Sequence, residues 1–296
     1  MYMDLFLQTL LSGLLIGGIY VMISIGFSLC FGVMHVIDFS VGEWIMLGGF
    51  IGVFFVGWLG VDPLLLLPVI FVIFFITGYL LQPAIQKAMS GKLALNPALM
   101  GLVFTFGVHV FLQGMALTIW GYDRTSLPSG LVGGSVDLGI AAASGMRIFV
   151  FVVGALVTIA FLLILAKTKI GLRVRATAQD REVASILGVD VKGISKLVYA
   201  VYAGVTGLSG VLIGSVFSIF AEMGMRYTTF AFFTVVLAGM GYLPGVLVGG
   251  LFLGVLQSLV GVYLGGRYIF LVVFMVLYLV LVITPQGILG KGWKAQ

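Results

Sequence analysis

Residues 227–266 read YTTFAFFTVVLAGMGYLPGVLVGGLFLGVLQSLVGVYLGG and contain no charged side chain. A continuous helix over these 40 residues would be about 60 Å long, twice the ~30 Å thickness of the hydrocarbon core of a bilayer. The stretch must therefore turn back or break. Gly239, Gly241 and Pro244 place helix-breaking residues at its middle. We predict two membrane spans here, or one span and a re-entrant segment.

Seven other uncharged stretches are each long enough for one span, which needs about 20 apolar residues. They are residues 5–34, 44–61, 63–86, 93–122, 148–166, 197–221 and 268–290. With 61% hydrophobic and 8% charged residues and a mean hydropathy of +1.26, the composition argues against a water-soluble fold. We expect an all-α polytopic membrane protein of about eight or nine transmembrane or re-entrant helices. Residues 1–296 would form one transmembrane domain, with a long polar loop at about 167–197.

The glycine, cysteine and histidine content narrows the kinds of site that the chain can hold. The 43 glycines follow no collagen-like period, so we interpret them as positions where membrane helices pack closely. A single cysteine, Cys30, excludes a disulfide framework. The two histidines, His35 and His109, are too far apart in sequence to suggest a metal site. The sequence therefore predicts no metal site and no cofactor in this chain.

Basic residues are concentrated in one connection between apolar stretches. Residues 167–196 hold seven of the 15 Lys and Arg residues, namely Lys167, Lys169, Arg173, Arg175, Arg181, Lys192 and Lys196. Because basic loops stay on the cytoplasmic side, we predict that this connection is cytoplasmic, as are two further basic segments. Those segments contain Lys87 and Lys92, and Lys291 and Lys294. The charge-balanced connection 122–147 then faces outward.

Two consequences follow from this charge distribution. The positive-inside pattern accounts for the net charge of +5, so no nucleic acid partner is expected. The N-terminus lies outside if every apolar segment crosses the membrane, and inside if one segment is re-entrant, so the sequence leaves this side open.

The basic connection is patterned rather than a simple tether. Residues 171–195 read GLRVRATAQDREVASILGVDVKGIS, and apolar side chains recur at helical spacing at Ala176, Val183, Ile186 and Leu187. Thr177 or Asp180 can cap this helix, and Gly188 can end it. We predict a short amphipathic helix followed by a glycine turn, shaped to dock into a groove on a cytosolic partner. An interfacial helix that lies on the membrane without a partner is the alternative.

The same segment resembles the EAA signature of ABC importer permeases. The matching residues are Glu182, Ala184 and Gly188, followed by Ile194, with Val183 in place of the first alanine. The resemblance implies a cytoplasmic coupling helix that contacts an ATPase subunit and transmits its ATP-driven closure to the membrane helices. The residues implied in this coupling are Arg175, Asp180, Arg181, Glu182, Ala184 and Gly188.

Four ordered blocks resemble the branched-chain amino acid permeases of the LivH type. They are residues 13–49, RATAQDREVASILGV (175–189), VLAGMGYLPGVLVGGLFLG (236–254) and TPQGILG (284–290). The resemblance implies a multi-pass importer subunit in the lipid of the bacterial cytoplasmic (inner) membrane that works by alternating access. It also implies three kinds of protein partner: a homologous permease, two cytosolic ABC ATPases and a periplasmic or extracellular solute-binding protein.

The energy source and the solute are expected to depend on the partners. The sequence contains no Walker A motif, so ATP would be bound by the partner ATPase and this chain would be non-catalytic. The resemblance implies leucine, isoleucine and valine as solutes, whereas related permeases serve urea, amides or aromatic acids. The family commonly has Ile-Asn-Phe-Ala-His-Gly-Glu where residues 37–43 read Ile-Asp-Phe-Ser-Val-Gly-Glu. This departure leaves the solute open.

Two groups of residues are candidates for the translocation path. They are Asp38, Gly42 and Glu43 in the first block, and Gly239, Gly241 and Pro244 at the predicted break. Non-helical backbone at membrane depth is tolerated only where protein or a water-filled cavity satisfies its polar groups, which makes the break a candidate. An ordinary surface loop is the alternative at that position.

Ionisable residues near a span boundary suggest a rival class of transporter. His35, Asp38 and Glu43 form the densest such group, and an ion-coupled secondary transporter would use them with the 239–245 break as a discontinuous helix. We favour a structural turn in which Glu43 caps the following helix. For His109 we favour a hydrogen bond between helices over a cavity-lining role. An intramembrane enzyme is not expected, because neither a Gly-x-Ser-x-Gly nor a His-Glu-x-x-His motif occurs.

Overall fold

The computed structural model describes residues 2–90, 96–137 and 142–289, so Lys92, Lys291 and Lys294 lie outside the described residues. Within these ranges the chain forms eleven α-helices, two 3-10 turns and one short hairpin. The helices are α1 (Tyr2–Met34), α2 (Val41–Leu59), α3 (Leu67–Met89), α4 (Pro97–Trp120), α5 (Gly145–Lys167), α6 (Lys169–Gln179), α7 (Arg181–Ile186), α8 (Val191–Val216), α9 (Met223–Ala238), α10 (Leu243–Tyr263) and α11 (Ile269–Ile283). The 3-10 turns are Pro63–Leu66 and Gly266–Tyr268, and the antiparallel hairpin pairs β1 (Ser135–Asp137) with β2 (Ala142–Ser144).

Most of the helices have the length and composition of membrane spans. Among the described residues, eight helical segments are long and apolar enough to cross a bilayer: α1, α2, α4, α5, α8 and α10, together with α3 and α11 when each is counted with the 3-10 turn before it. The apolar helix α9 has 16 residues and is therefore about 24 Å long at about 1.5 Å per residue. The expectation of an all-α polytopic membrane protein is confirmed.

The long uncharged stretch breaks at the predicted position. α9 ends at Ala238 and α10 begins at Leu243. Between them, Gly239 and Gly241 have φ angles of 96° and 84°, in the left-handed region that glycine adopts without strain. Pro244 lies in the first turn of α10, where its missing N–H costs no helical hydrogen bond. The stretch is thus two helices joined by a tight turn.

The bundle has two distinct ends, and the N-terminus lies away from the basic connection. We term the end that carries α6 and α7 the basic end, and the other the opposite end. α5 runs to the basic end, since α6 follows it directly. α1 runs parallel to α5, because Gly18 lies against Phe151 and Met22 against Gly154. The N-terminus is therefore at the opposite end, which is the side expected if no apolar segment is re-entrant.

Glycines make the closest contacts between helices. α1 packs along α10, and α8 packs along both α2 and α3. A Cβ atom at Gly254 would overlap the backbone of Gly13 and Gly17, and one at Gly48 would overlap Gly207. Small residues at these positions let the helix backbones approach each other, which supports the interpretation of the glycine content.

Two helix pairs are built alike and meet near the centre of the bundle. α1 and α2 are joined by residues 35–40, and α8 and α9 by residues 217–222, so both connections have six residues. Gly42 and Gly224 are the second residues of α2 and α9. A Cβ atom at Gly42 would overlap the carbonyl of Gly224. We term this contact the α2–α9 crossing.

We expect Gly254→Ala to destabilise the bundle by roughly 1–3 kcal/mol, because the added methyl group overpacks the α1–α10 contact. The unfolding temperature of the detergent-solubilised protein measures this effect. Gly107→Ala on α4 is the matched control, since a Cβ atom there meets nothing within 4 Å. Equal unfolding temperatures for the two variants would contradict the close α1–α10 packing.

Candidate functional site

The basic connection folds as two helices rather than one. α6 ends at Gln179 and α7 begins at Arg181, so α7 is the predicted short helix that ends near Gly188, and α6 is a further helix that was not predicted. The break arises because the Asp180 carboxylate accepts hydrogen bonds from the backbone N–H groups of Glu182 and Val183, at 2.9 and 3.0 Å. Such a side-chain cap starts a new helix and ends the preceding one. Asp180 is therefore the N-cap of α7, which confirms one of the two predicted caps.

The second predicted cap, Thr177, has a different role. Its side chain is buried within α6, and its hydroxyl donates to the Arg173 carbonyl at 2.9 Å. At the other end of α7, Gly188 has a φ angle of 82°, so it forms the left-handed turn that was expected after this helix.

α7 presents its apolar side chains outward. Val183, Ile186 and Leu187 are 51%, 84% and 76% exposed, whereas Ala184 is 2% exposed and packs inward. The Arg181 guanidinium is partly buried and donates to the Ser195 hydroxyl at 3.3 Å, and its burial lowers the pKa of Arg181. The helix is thus anchored through Ala184 and Arg181 while its apolar face remains uncovered.

A groove of about 560 Å³ adjoins α7 at the basic end. Its lining includes Gln86 from the end of α3, Arg181, Glu182 and Ile186 from α7, and Lys192 from the start of α8. The structure therefore brings five of the six predicted coupling residues together on and around one short helix. The sixth, Arg175, lies on the preceding helix α6, and its Nε atom is buried without a hydrogen-bond partner.

The first group of candidate path residues surrounds the α2–α9 crossing. Asp38 is buried in the α1–α2 connection. Its Oδ1 atom accepts from the backbone N–H and the hydroxyl of Ser40, at 2.8 and 2.5 Å, and its Oδ2 atom accepts from the Tyr199 hydroxyl at 2.9 Å. The Gly42 N–H donates to the Thr228 hydroxyl at 3.0 Å. These bonds tie the connection to α8 and α9.

Glu43 pairs with His109 instead of capping α2. The predicted cap is wrong, because Glu43 is the third residue of α2, the N-cap is Ser40, and no side chain caps the helix. The Glu43 Oε1 atom lies 2.8 Å from His109 Nδ1 on α4, which confirms the favoured interhelical hydrogen bond of His109. The Glu43 Oε2 atom is buried without a partner, and the carboxylate packs on Gly224 at the start of α9.

The remaining ionisable and candidate path residues lie elsewhere. His35 is exposed, and among the described residues no hydrogen bond joins any two of His35, Asp38 and Glu43. Gly239 and Gly241 follow α9 and are therefore about 22 Å from the crossing, at about 1.5 Å per helical residue. Gly241 lies near Gly32 of α1. The structure thus separates the two predicted groups, and Pro244, which is exposed, belongs to the second.

We expect Asp180→Ala to speed amide hydrogen exchange in α7, because loss of an N-cap costs about 0.5–2 kcal/mol of local helix stability. Exchange of residues 181–187 measured by mass spectrometry checks this. Glu182→Gln keeps the cap and is the matched control. Unchanged exchange in the Asp180 variant would show that the carboxylate does not stabilise α7.

We expect His109→Leu to cost about 1–3 kcal/mol, because it leaves the buried Glu43 carboxylate without its partner. Combining it with Glu43→Gln should cost less than the sum of the single changes, since the second removes the unpaired acid. Unfolding of all variants in detergent measures the coupling, with Gln113→Leu on the same helix as the control. Additive losses would argue against the pair.

The comparisons with known proteins agree with this architecture. Residues 9–283 match the sequence profile of the family described as branched-chain amino acid transport system, permease component. The chain is 30% identical to the high-affinity branched-chain amino acid transport system permease protein BraD of Pseudomonas aeruginosa, over 97% of this chain and 96% of that protein. With the same coverage, it is 30% identical to the permease protein LivH of Salmonella typhimurium and 29% identical to LivH of Escherichia coli K12. No solved structure is significantly similar to it. The chain therefore belongs to the family of permease components of branched-chain amino acid transport systems.

Proposed function

We propose that this chain is the membrane subunit of an ATP-driven ABC importer, and that its solutes are branched-chain amino acids. Its family and its multi-pass helical fold support the role of a permease. The named solutes of the BraD and LivH relatives support leucine, isoleucine and valine over urea, amides or aromatic acids. The membrane helices would expose the solute to one side and then to the other, by alternating access.

The observation that carries this proposal is the uncovered apolar face of α7. Burying a Leu or Ile side chain contributes about 1.5–3 kcal/mol, so Ile186 and Leu187 together offer a large part of the free energy of docking. The Asp180 cap and the buried Ala184 hold the helix in place, so little ordering is needed on binding. The adjoining groove adds polar and charged groups from Gln86 and Lys192. An ATPase subunit is the partner that this surface would contact.

The remaining partners and the location follow from the same proposal. The basic end faces the cytoplasm, where two ATPases bind, and the N-terminus faces outward. A homologous permease completes the membrane part, and a periplasmic or extracellular solute-binding protein delivers the solute to the opposite end. The membrane is the bacterial cytoplasmic (inner) membrane. ATP is bound by the ATPases, and this subunit holds no cofactor and catalyses no reaction.

A second candidate function is ion-coupled transport without an ATPase. The buried Glu43–His109 pair favours it, because ionisable groups inside a membrane commonly carry protons or ions. Asp38 does not extend this pair, since its carboxylate is bonded to Ser40 and Tyr199. The two functions differ in whether solute uptake needs a partner protein with ATP.

We expect the double change Ile186→Asp with Leu187→Asp to abolish retention of ATPase subunits when the chain is purified from its native membrane. Two buried charges would replace two apolar contacts at the docking surface. Ile186→Met with Leu187→Met keeps the surface apolar and is the matched control. Retention of the same ATPases by the aspartate and methionine variants would contradict docking through α7. Purification of the unaltered chain without any ATPase would favour the ion-coupled function.

A further inference from the structure

A second cavity lies at the opposite end of the bundle, far from α7. It has a volume of about 220 Å³ and is lined by residues of α1, α9, α10 and the connections before α5 and α9. We term it the outer cavity and define it by Ile16, Tyr20, Arg124, Phe217, Arg226 and Gln257. A cavity of about 150 Å³ holds benzene, so the outer cavity has room for a small solute.

Two arginines give the outer cavity a positive charge. Among the described residues, neither Arg124 nor Arg226 forms an ion pair with a carboxylate, and no acidic residue lines the cavity. The Arg124 guanidinium lies 4.8 Å from the centre of the Phe220 ring. Both side chains are exposed, so their N–H groups are open to a ligand that enters from the opposite end.

The backbone holds Arg124 beside the cavity. Thr125 pairs with Ile219 as an isolated antiparallel bridge, with hydrogen bonds of 3.0 and 2.7 Å. This bridge fastens the connection after α4 to the connection before α9. Because Ile219 is itself fully buried, the position of Arg124 is set by the core rather than by a free loop.

The floor and walls of the outer cavity complement its charge. The buried Tyr20 hydroxyl donates to Gln257 Oε1, and Arg226 lines the same cavity as Tyr20. Ile16 and Phe217 supply apolar wall. The cavity thus combines cationic groups, neutral hydrogen-bonding groups and apolar surface, which is the combination that binds an apolar molecule bearing a carboxylate.

We propose that the outer cavity binds the solute on its way in, with Arg124 and Arg226 holding the α-carboxylate of an aliphatic amino acid. This inference rests on the proposed function and adds a recognition site to it. Guanidinium groups bind carboxylates through charge-assisted, often bidentate hydrogen bonds. Ile16 and Phe217 contact the aliphatic side chain. The permease therefore recognises the carboxylate that all amino acid solutes share, and does not merely conduct what the binding protein delivers.

Protection from an arginine-specific reagent tests this binding directly. The purified complex is treated with phenylglyoxal, with leucine or leucinol present, and modified arginines are quantified by peptide mass spectrometry. Leucinol is the matched ligand, because it has the same side chain and lacks the carboxylate. Arg267 is the internal control, since it stacks on Tyr268 at the same end and does not line the cavity. Leucine should protect Arg124 and Arg226 but not Arg267, and leucinol should protect none.

Uptake by variants provides the second test. Arg124→Gln and Arg226→Gln should each raise the KM for leucine uptake by on the order of tenfold, as expected for loss of a charged hydrogen bond, whereas Arg267→Gln should not. Arg124→Lys and Arg226→Lys, which keep the charge, should retain part of the affinity. ATP hydrolysis by each reconstituted complex shows that the variants are assembled.

Together, the labelling and uptake experiments distinguish a failure of this inference from a failure of the proposed function. An unaltered complex that fails to import leucine with ATP would contradict the proposed function. The carboxylate site alone would be overturned if the unaltered complex imports leucine but two results are negative. These are equal labelling of Arg124 and Arg226 in leucine and in leucinol, and an unchanged KM for leucine in both glutamine variants.

Discussion

Gly42 and Gly224 meet where α2 and α9 begin, and neither position has room for a Cβ atom. Because of this contact, the two six-residue connections before these helices lie close to the centre of the bundle. The Glu43 carboxylate then packs on Gly224 and reaches His109, while Thr228 of α9 accepts the Gly42 N–H. The same arrangement sets the position of residues 217–222, which carry the wall of the outer cavity. A side chain at Gly42 would push α2 away from the backbone of α9, and one at Gly224 would displace the Glu43 carboxylate.

Close packing is the means by which a chain of this composition specifies one structure. Apolar side chains gain little by leaving lipid for the interior of a membrane protein, so helix association depends on van der Waals contact and on polar pairs. Here the glycine positions supply the van der Waals contact. The polar pairs are Glu43–His109, Asp38–Tyr199 and Tyr20–Gln257. Two of these pairs join different helices, and Asp38–Tyr199 joins the α1–α2 connection to α8, so the polar groups also fix which elements are neighbours.

Much of the fold could be predicted from the sequence because charge spacing and helix breakers are local signals. The span lengths and the Gly239–Gly241 break are of this kind, and so is Asp180 as a cap. The short helix that ends near Gly188 is confirmed as α7, but α6 was not predicted as a separate helix, because the Asp180 cap divides the segment within its apolar periodicity. The Glu43 cap was wrong because a partner 66 positions away in the sequence, His109, takes the carboxylate. No periodicity indicated that pair, nor that Arg124 and Arg226 share a cavity, since tertiary packing alone brings them together.

The two ends of the molecule suit the two halves of an import cycle. The opposite end offers a cationic, partly apolar cavity to a solute, and the basic end offers an apolar helix to an energy-supplying partner. The most direct measurement is uptake of labelled leucine by proteoliposomes that contain this chain and its partner subunits, with all ion gradients dissipated. The account predicts uptake that requires ATP and the solute-binding protein. Uptake by this chain alone, without ATP and driven by an ion gradient, would contradict it.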